Sequence, residues 1–445
     1  MVFVSMQAAR VVDGINYEFY RDQNMAVVEP LPNRERYTGD IVIPETVTVG
    51  DMTFTVVAID KEAFYRATIT SVSIPNTVTM ISTRAFGDCY KLKSVVIPNS
   101  VTIIGNEAFS NCESATTLIL PEKIDLILSN AFYGMCSLKE VVIPDGWTDL
   151  GSLEYQGEEL DVYSLFEDCT SLEKVTIGRG VRAINPSTFA GCSSLKEVVC
   201  FDDGALEVIG EEAFDNCRSL KNLNFLPSTV KIIADAFDGC TAFTEIVVPA
   251  SVIRFDCYFS DSYNVKKVVL KDSPEPITIN GFEVTPSEVY LGRPCNGMPF
   301  NTNYFRRNNG TWSNYLKKVT FGPHFTGDSS WKFGWGVETI MSLVTDPAKL
   351  TFTFENDVYD NAILYVPKGT KESYRARDNF KNFFFINEFD ATGIEAPHSQ
   401  SGQEQSACRQ ETRYDLGGRQ TRKQPKGISI VRTKEGLTKK IYVKP

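Results

Sequence analysis

Cysteine has more chemistry open to it than any other residue type in this sequence, and its spacing narrows the choice. There are 11 cysteines among 445 residues. Six of them, Cys89, Cys112, Cys169, Cys192, Cys217 and Cys240, stand three residues after a phenylalanine. At Phe132 the same slot holds Met135, with Cys136 beside it. A slot that takes methionine as readily as cysteine asks for a compact, polarisable apolar side chain, so a ladder of buried free thiols is expected. Sporadic bridges between stacked neighbours are the alternative. No metal site is expected, because neither a Cys-x-x-Cys pair nor a Cys/His cluster occurs. Cys200, Cys257, Cys295 and Cys408 fall outside the slot, and Cys408 is the one expected to be exposed.

The remaining reactive side chains form no recognisable constellation. Of the two histidines, His324 lies in a Gly/Pro-bounded segment and His398 in a linker-like stretch. Neither has a Ser, Cys or carboxylate motif beside it, which argues against a triad. Gly-x-Ser-x-Gly, phosphate-cradling, EF-hand and His-Glu-x-x-His motifs are all missing from the sequence. Carboxylates are plentiful and a glycosidase needs only two, but most stand in repeating columns, as on a solvated face. No catalytic residue, metal ligand or cofactor is therefore assigned, and the chain is not expected to be an enzyme.

What positions the cysteines is a repeat. Ala-Phe-x-x-Cys recurs at Phe86, Phe109, Phe214 and Phe237, with looser copies at Phe64, Phe132, Phe166, Phe189 and Phe259. Successive Phe spacings are 22, 23, 23, 34, 23, 25, 23 and 22. Apolar residues return at Phe+6, +9 and +11, commonly followed by proline, as in Leu92, Val95, Ile97 and Pro98. A Val-x-x-Ile step follows, as in Val101-Thr102-Ile103-Ile104. Val-x-Ile is a strand too short to carry a core of its own, so each coil must bury it against its neighbours. Stacking at the parallel-strand spacing of about 4.8 Å aligns equivalent residues in columns. The spacing of 34 marks about eleven extra residues within 145–165, expected as a surface loop that leaves the register intact.

These copies resemble the BspA-like (Treponema pallidum type) bacterial leucine-rich repeats over roughly residues 58–275. The resemblance implies a right-handed solenoid with a parallel sheet on one face and short 3₁₀ or helical turns at the Ala-Phe segments. It also implies a secreted or surface-displayed protein that adheres to host or bacterial surface proteins. Residues 1–57, with apolar and polar residues alternating around Asp13-Gly14 and Gly39-Asp40, are expected to form a β-rich N-terminal cap of hairpin-like strands. Residues 276–390 keep strand echoes at Val289, Val319, Ile340 and Leu364 and are expected to be degenerate coils with an irregular C-terminal cap.

Residues 391–445 stand apart by charge. They carry a net +6, whereas the preceding 390 carry −17, and the whole chain −11. This acidic balance argues against general nucleic-acid binding. The tail strings Tyr414-Asp415-Leu416-Gly417-Gly418-Arg419 and Lys426-Gly427-Ile428-Ser429-Ile430 resemble the C-terminal sorting-type module of Bacteroidetes surface and secreted proteins, with Ser429 where tyrosine is usual. That resemblance implies export to the outside of a Gram-negative bacterium. No apolar run reaches transmembrane length. The short N-terminal Met1–Ala8 stretch lacks the basic leader of an intact signal peptide and reads as a remnant of one or a cloning scar.

Two surfaces are candidates for a partner. The Phe+10 column points outward and reads Val96, Ile119, Val142, Thr176, Val199, Asn224, Val247 and Val269. Six of the eight are aliphatic, beside polar and charged +7 and +8 columns, which is the composition of a protein-binding surface. The bland alternative is β-propensity or cover by another part of the chain. The second candidate is an aromatic cluster over 300–335 that includes Trp312, Trp331, Phe333 and Trp335. It could stack on sugar rings, making a carbohydrate-binding protein the rival reading. Its expected role, however, is the core of a loop-rich terminal segment.

Overall fold

Each coil of about 23 residues has three sides, and each side is made by one part of the repeat. The computed structural model describes residues 10–148, 163–281, 284–296, 316–327, 331–334 and 336–390. It also describes the backbone alone of the strands Ser152–Tyr155, Glu158–Asp161, Phe305–Arg306 and Trp312–Ser313 and of four strands after residue 411.

The first side is the Val-x-Ile strand. Ser94–Val96 pairs in parallel with Thr117–Ile119, and Glu140–Val142 with Lys174–Thr176, which pairs in turn with Glu197–Val199. Alternation sends Val95 and Val141 inward to near-complete burial and the next residue out. A proline or glycine then turns the chain. The second side is the Val-x-x-Ile step, which forms a ladder of its own. Met80–Ile81, Ile103–Ile104 and Leu126–Ile127 pair in register, and Ala183–Ile184 begins a second such run.

The third side differs from the expected helical turn. Among the described residues from 58 to 281 there is no helix. Instead, N–H groups alternate between their own coil and the next. Ala63 and Tyr65 donate to Asp60 O and Glu62 O, whereas Phe64 and Arg66 donate to Ala85 O and Gly87 O of the following coil at 2.7 and 2.8 Å. A helix would direct every N–H at its own carbonyls. Left-handed residues two before and two after the phenylalanine prevent that, as at Arg84 and Asp88 (φ 54° and 57°) and at Glu107 and Asn111 (both 54°). The later position reads Asp88, Asn111, Gly134, Asp168, Gly191, Asn216 and Gly239, the residue types that tolerate this conformation best. At Gly191 a Cβ would also lie 2.1 Å from Asp168 Oδ1 of the preceding coil, so glycine is required there twice over.

Inside, the phenylalanines stack without a break. Rings of Phe64, Phe86, Phe109, Phe132, Phe166, Phe189, Phe214, Phe237 and Phe259 lie 4.9 to 5.9 Å apart and within 19° of parallel. The extra residues before Phe166 leave this column intact, since Phe132 still donates to Leu165 O and stacks on Phe166 at 5.2 Å. They contain an antiparallel pair, Ser152–Tyr155 with Glu158–Asp161.

The cysteine slot is more specific than softness alone suggests. Each thiol donates to the carbonyl of the phenylalanine one coil back. Cys89 reaches Phe64 O at 3.1 Å, Cys192 reaches Phe166 O at 3.2 Å and Cys240 reaches Phe214 O at 3.2 Å. Burial pushes the Cys89 and Cys169 thiols up to about 12, so they stay protonated as donors. The ten described cysteines are all free, and Cys408 lies outside the described residues.

The ends are built differently. At the N-terminus, Arg10–Val12 and Ile15–Tyr20 form a hairpin across Asp13-Gly14, both with positive φ, and Met25–Glu29 joins it to Met52–Ile59. Gly39-Asp40 is not a turn. It is a register shift within Thr38–Val42, which pairs in parallel with Thr68–Ser73. Beyond residue 240, Glu245–Val248, Lys267–Leu270, Glu288–Leu291, Lys318–Phe321, Thr339–Ser342, Ile363–Pro367 and Phe385–Phe389 continue one parallel sheet. The molecule is a leucine-rich-repeat solenoid, and its contacts divide it into residues 1–398 and 399–445. In the second unit the strand order is Gln420–Thr421, Thr412–Tyr414, Gly427–Arg432 and Thr438–Val443, all antiparallel.

Candidate protein-binding face

The outward column of the strand side changes character along the solenoid. Val96, Ile119 and Val142 are 47, 52 and 53% exposed. Thr176 and Val199 are half-buried and Asn224 is exposed. Val247 and Val269 are buried, packed with Tyr290 and Leu343. The outward column read from sequence is thus an accessible surface only over its N-terminal part. The tyrosine that follows Val269 in register is large enough to close over the later strands, and its hydroxyl is held by Asp272 at 2.7 Å.

The accessible row also extends further toward the N-terminus than the repeat indicated. Thr116 N–H donates to Lys93 O, and Lys93 N–H to Thr70 O, which puts Ser73 in the same row as Val96 and Ile119. Ser73 pairs with Val42, which is 71% exposed. Val42 escaped sequence reasoning because it precedes the first phenylalanine. The signal that could have found it is the Ile-Val-Ile-Pro string at 41–44, a copy of the strand-and-proline segment without its anchor.

The flanking columns divide at the same place. Around Val96 and Ile119 they offer Ser71, Ser94, Thr116 and Thr117 together with the exposed Lys93, and around Val142 the exposed Lys139 and Glu140. Asp40 accepts from Thr70 Oγ1 and Ser71 Oγ at 2.7 and 2.6 Å, and these hydrogen bonds hold its carboxyl below the usual range. From the Phe166 coil onward the columns pair between coils, as in Lys174–Glu197 (3.1 Å), Lys196–Glu173 (2.8 Å) and Lys267–Glu245 (2.6 Å). The Lys196 bond keeps the Glu173 carboxyl low. Exposed pairs of this kind add little stability, but each occupies the charge its partner would otherwise offer to a ligand. The N-terminal strands thus carry an aliphatic row among hydroxyls and a few charges, and the later ones a self-neutralised charged surface.

The second candidate surface is corrected by the structure. Trp331 and Phe333 are 2 and 1% exposed, packed with Phe325, Phe352 and Phe354 in the core of the terminal coils. The side chains of Trp312 and Trp335 lie outside the described residues. Among the described residues no three His, Cys, Asp or Glu side chains are grouped to hold a metal, and no helix is long and apolar enough to cross a membrane.

Two carboxylates away from this face make stability depend on pH. Burial, reinforced by Asp60 and Glu18, pushes Glu29 up to about 7. Burial likewise raises Asp215 to about 7, although the Asp238 N–H it accepts at 2.9 Å opposes the shift. A carboxyl with a raised native pKa is a burden while ionised, and the burden lifts as pH falls from about 7 toward the ordinary value near 4. The urea midpoint should therefore rise between pH 8 and pH 5. Asp215→Asn should remove about 1–2 kcal/mol of that rise, allowing for solvent screening. An unchanged pH profile in the variant would contradict this assignment.

Comparison with known proteins agrees with the architecture. The family described as BspA type leucine rich repeat region matches residues 44–161 and 162–288, in six copies. Among solved structures, a leucine-rich repeat protein from Bacteroides ovatus is 22% identical, with 86% of this chain and all of that one covered and a TM-score of 0.55. The leucine rich repeat protein of T. pallidum is 26% identical over 46% of this chain and 87% of its own, with a TM-score of 0.38. A leucine rich cell surface protein from Faecalibacterium prausnitzii is 19% identical over 87% and 96%, with a TM-score of 0.40. No curated protein matches. With more than half its length matched and the coil geometry in agreement, the chain belongs to the BspA-type leucine-rich-repeat family.

Proposed function

We propose that this chain is a non-catalytic, secreted or surface-displayed protein that holds a protein partner, on a host cell or a neighbouring bacterium, against the N-terminal half of its strand face. The observation that carries the reading is the row Val42, Val96, Ile119 and Val142. These aliphatic side chains are about half or more exposed, recur at equivalent strand positions and are flanked by hydroxyls and a few charges, where later coils are closed by ion pairs or by Tyr290. An apolar row with a margin of hydroxyls and scattered charges has the composition of a protein-binding surface. Export is supported by the resemblance of residues 391–445 to a sorting-type module.

The test is a triple variant, Val96→Lys, Ile119→Glu and Val142→Lys, with alternating sign so that neighbours do not repel. Surface plasmon resonance against extracellular-matrix and bacterial surface proteins should show loss of about 100-fold in affinity for the partner that binds the parent chain. The melting temperature should move by no more than about 2 °C, because the three sites face solvent. Unchanged binding by the folded triple variant would sink the proposal.

A further inference from the structure

We propose that the cleft at the N-terminal mouth of the solenoid binds a zwitterion of amino-acid size, a molecule carrying an ammonium and a carboxylate on one small apolar body. This goes beyond the protein-binding face, which lies on a different side of the coil.

The cleft has a volume of about 260 Å³ and lies between the loop 30–37 and the first turn segment, 62–67. That is below the roughly 300 Å³ at which drug-sized sites begin, so a single residue is the size of occupant it admits. Its floor is apolar. Tyr37 caps the phenylalanine stack there, its ring centroid 4.5 Å from that of Phe64 with both rings nearly buried, and Leu31 is half-buried at the side.

Two polar features of opposite kind face this floor. The first follows from the ladder. In the coils from Phe86 to Phe237 the carbonyls on either side of the phenylalanine accept N–H groups from the coil before, as Ala85 O and Gly87 O do from Phe64 and Arg66. The first turn has no coil before it. Its corresponding carbonyls, Ala63 O and Tyr65 O, point toward the cap loop and accept no hydrogen bond among the described residues. Both residues line the cleft, with Glu62 next to them. Carbonyls beside a carboxylate are a receptor for a cationic N–H donor.

The second feature is a pair of arginines. Arg34 and Arg36 line the opposite wall, and Glu35 stands between them. None of Arg34, Glu35, Arg36 and Glu62 forms an ion pair among the described residues, although elsewhere on the solenoid such charges pair between coils. Arg36 makes one long bond, from Nη1 to Arg66 O at 3.4 Å. Asn33 and Arg34 are consecutive left-handed residues at φ 59° and 62°. The same conformation is structural in the repeat turns, and in this loop it sets the direction in which the chain leaves Asn33. Here it presents Arg34 at the rim of the cleft.

A carboxylate on the Arg34/Arg36 side and an ammonium on the Ala63/Tyr65/Glu62 side would satisfy both features at once, with the side chain against Tyr37, Phe64 and Leu31. A simple anion would leave the carbonyls unmet, and a simple cation would leave the arginines unmet.

Isothermal titration of the full chain with L-leucine and L-phenylalanine tests this. Saturable binding of one molecule per chain is expected, with Kd between about 0.1 and 10 mM for so small a ligand. N-acetyl-L-leucine and L-leucinamide, each lacking one of the two charges, should bind about tenfold more weakly or worse. Arg34→Gly should lose at least about tenfold while keeping its melting temperature, because glycine is at ease at positive φ. Arg36→Gln should show the same loss without any change at the left-handed position. Blocked analogues that bind as well as leucine would overturn the proposal. So would the absence of saturation up to about 20 mM, or parent-like binding by both variants.

Discussion

Replacing Phe109 by alanine is expected to destabilise the solenoid by about 4 kcal/mol, within the range for deleting a fully buried aromatic ring. Phe109 is completely buried and stacked on Phe86 at 5.0 Å and on Phe132 at 5.9 Å. The loss has two parts. Transfer of the ring to water accounts for most of it, and two aromatic contacts worth about 0.5–1.5 kcal/mol each account for the rest. In a solenoid each coil touches only its neighbours, so the damage sits at one interface. Urea unfolding should then separate into two transitions, or show a lower apparent slope, as coils on either side of Phe109 lose their coupling. Phe109→Leu should cost less than half as much, since it refills volume without restoring the stack. A Phe109→Ala chain that unfolds in one transition within about 1 kcal/mol of the parent would show that the stack is not what couples the coils.

Arg293→Ala should cost a comparable 3–5 kcal/mol, although nothing in the repeat marks the position. Arg293 is completely buried, and its donors go to main-chain carbonyls and not to a carboxylate. Nε reaches Glu275 O at 3.0 Å, and Nη1 reaches Val252 O at 2.8 Å and Pro249 O at 3.4 Å. Nη2 is buried without a partner among the described residues. Burial lowers the pKa of this guanidinium, which measures how unfavourable the site is for a charge. The residue ties the Pro249–Val252 turn to Glu275, just before the strand Ile277–Asn280. Alanine would leave a cavity and take the donor from Glu275 O and Val252 O, while Pro249 O keeps the Val252 N–H. Arg293→Lys should recover only part of the loss, because one ammonium cannot span carbonyls that a planar fork reaches from two nitrogens. Chemical denaturation of both variants checks this order. Equal stability of Arg293→Ala and the parent would remove the argument.

Much of the architecture was legible in advance because the repeat is strict where the core is. Phe, Cys, Val and Ile at fixed offsets must superpose when coils stack, and the insertion before Phe166 could be placed because the register survives it. The turn geometry was not foreseen. The Asp/Asn/Gly column at Phe+2 was visible, but its meaning depends on knowing that alternate N–H groups leave the coil, which is a property of two coils and not of one. Gly39-Asp40 reads as a turn locally and becomes a strand bulge because Thr68–Ser73 supplies a partner.

The candidate face was legible by half. Alternation placed Val96, Ile119, Val142, Val247 and Val269 on the outward column, and the period could do no more than that. Exposure depends on what lies above a residue. Tyr290 and Leu343, which cover Val247 and Val269, come from coils that have lost the repeat. In the same way, Trp331 and Phe333 read as a core with a surface cluster as the rival, and their contacts with Phe325, Phe352 and Phe354 place them inside.

The sequence by itself determined the period, the inward columns and hence a stack of coils, because burial of a short strand has one solution when the strand recurs every 23 residues. The thiols illustrate the limit. Their burial followed from the spacing, whereas their role as donors to Phe64 O, Phe166 O and Phe214 O required the coil one step back. Only the tertiary structure decided which outward residues remain open, which charges cancel between coils, and what faces the mouth of the solenoid. Those are relations between residues 20 or more apart in the chain, set by packing at the irregular ends, where the repeat carries no information.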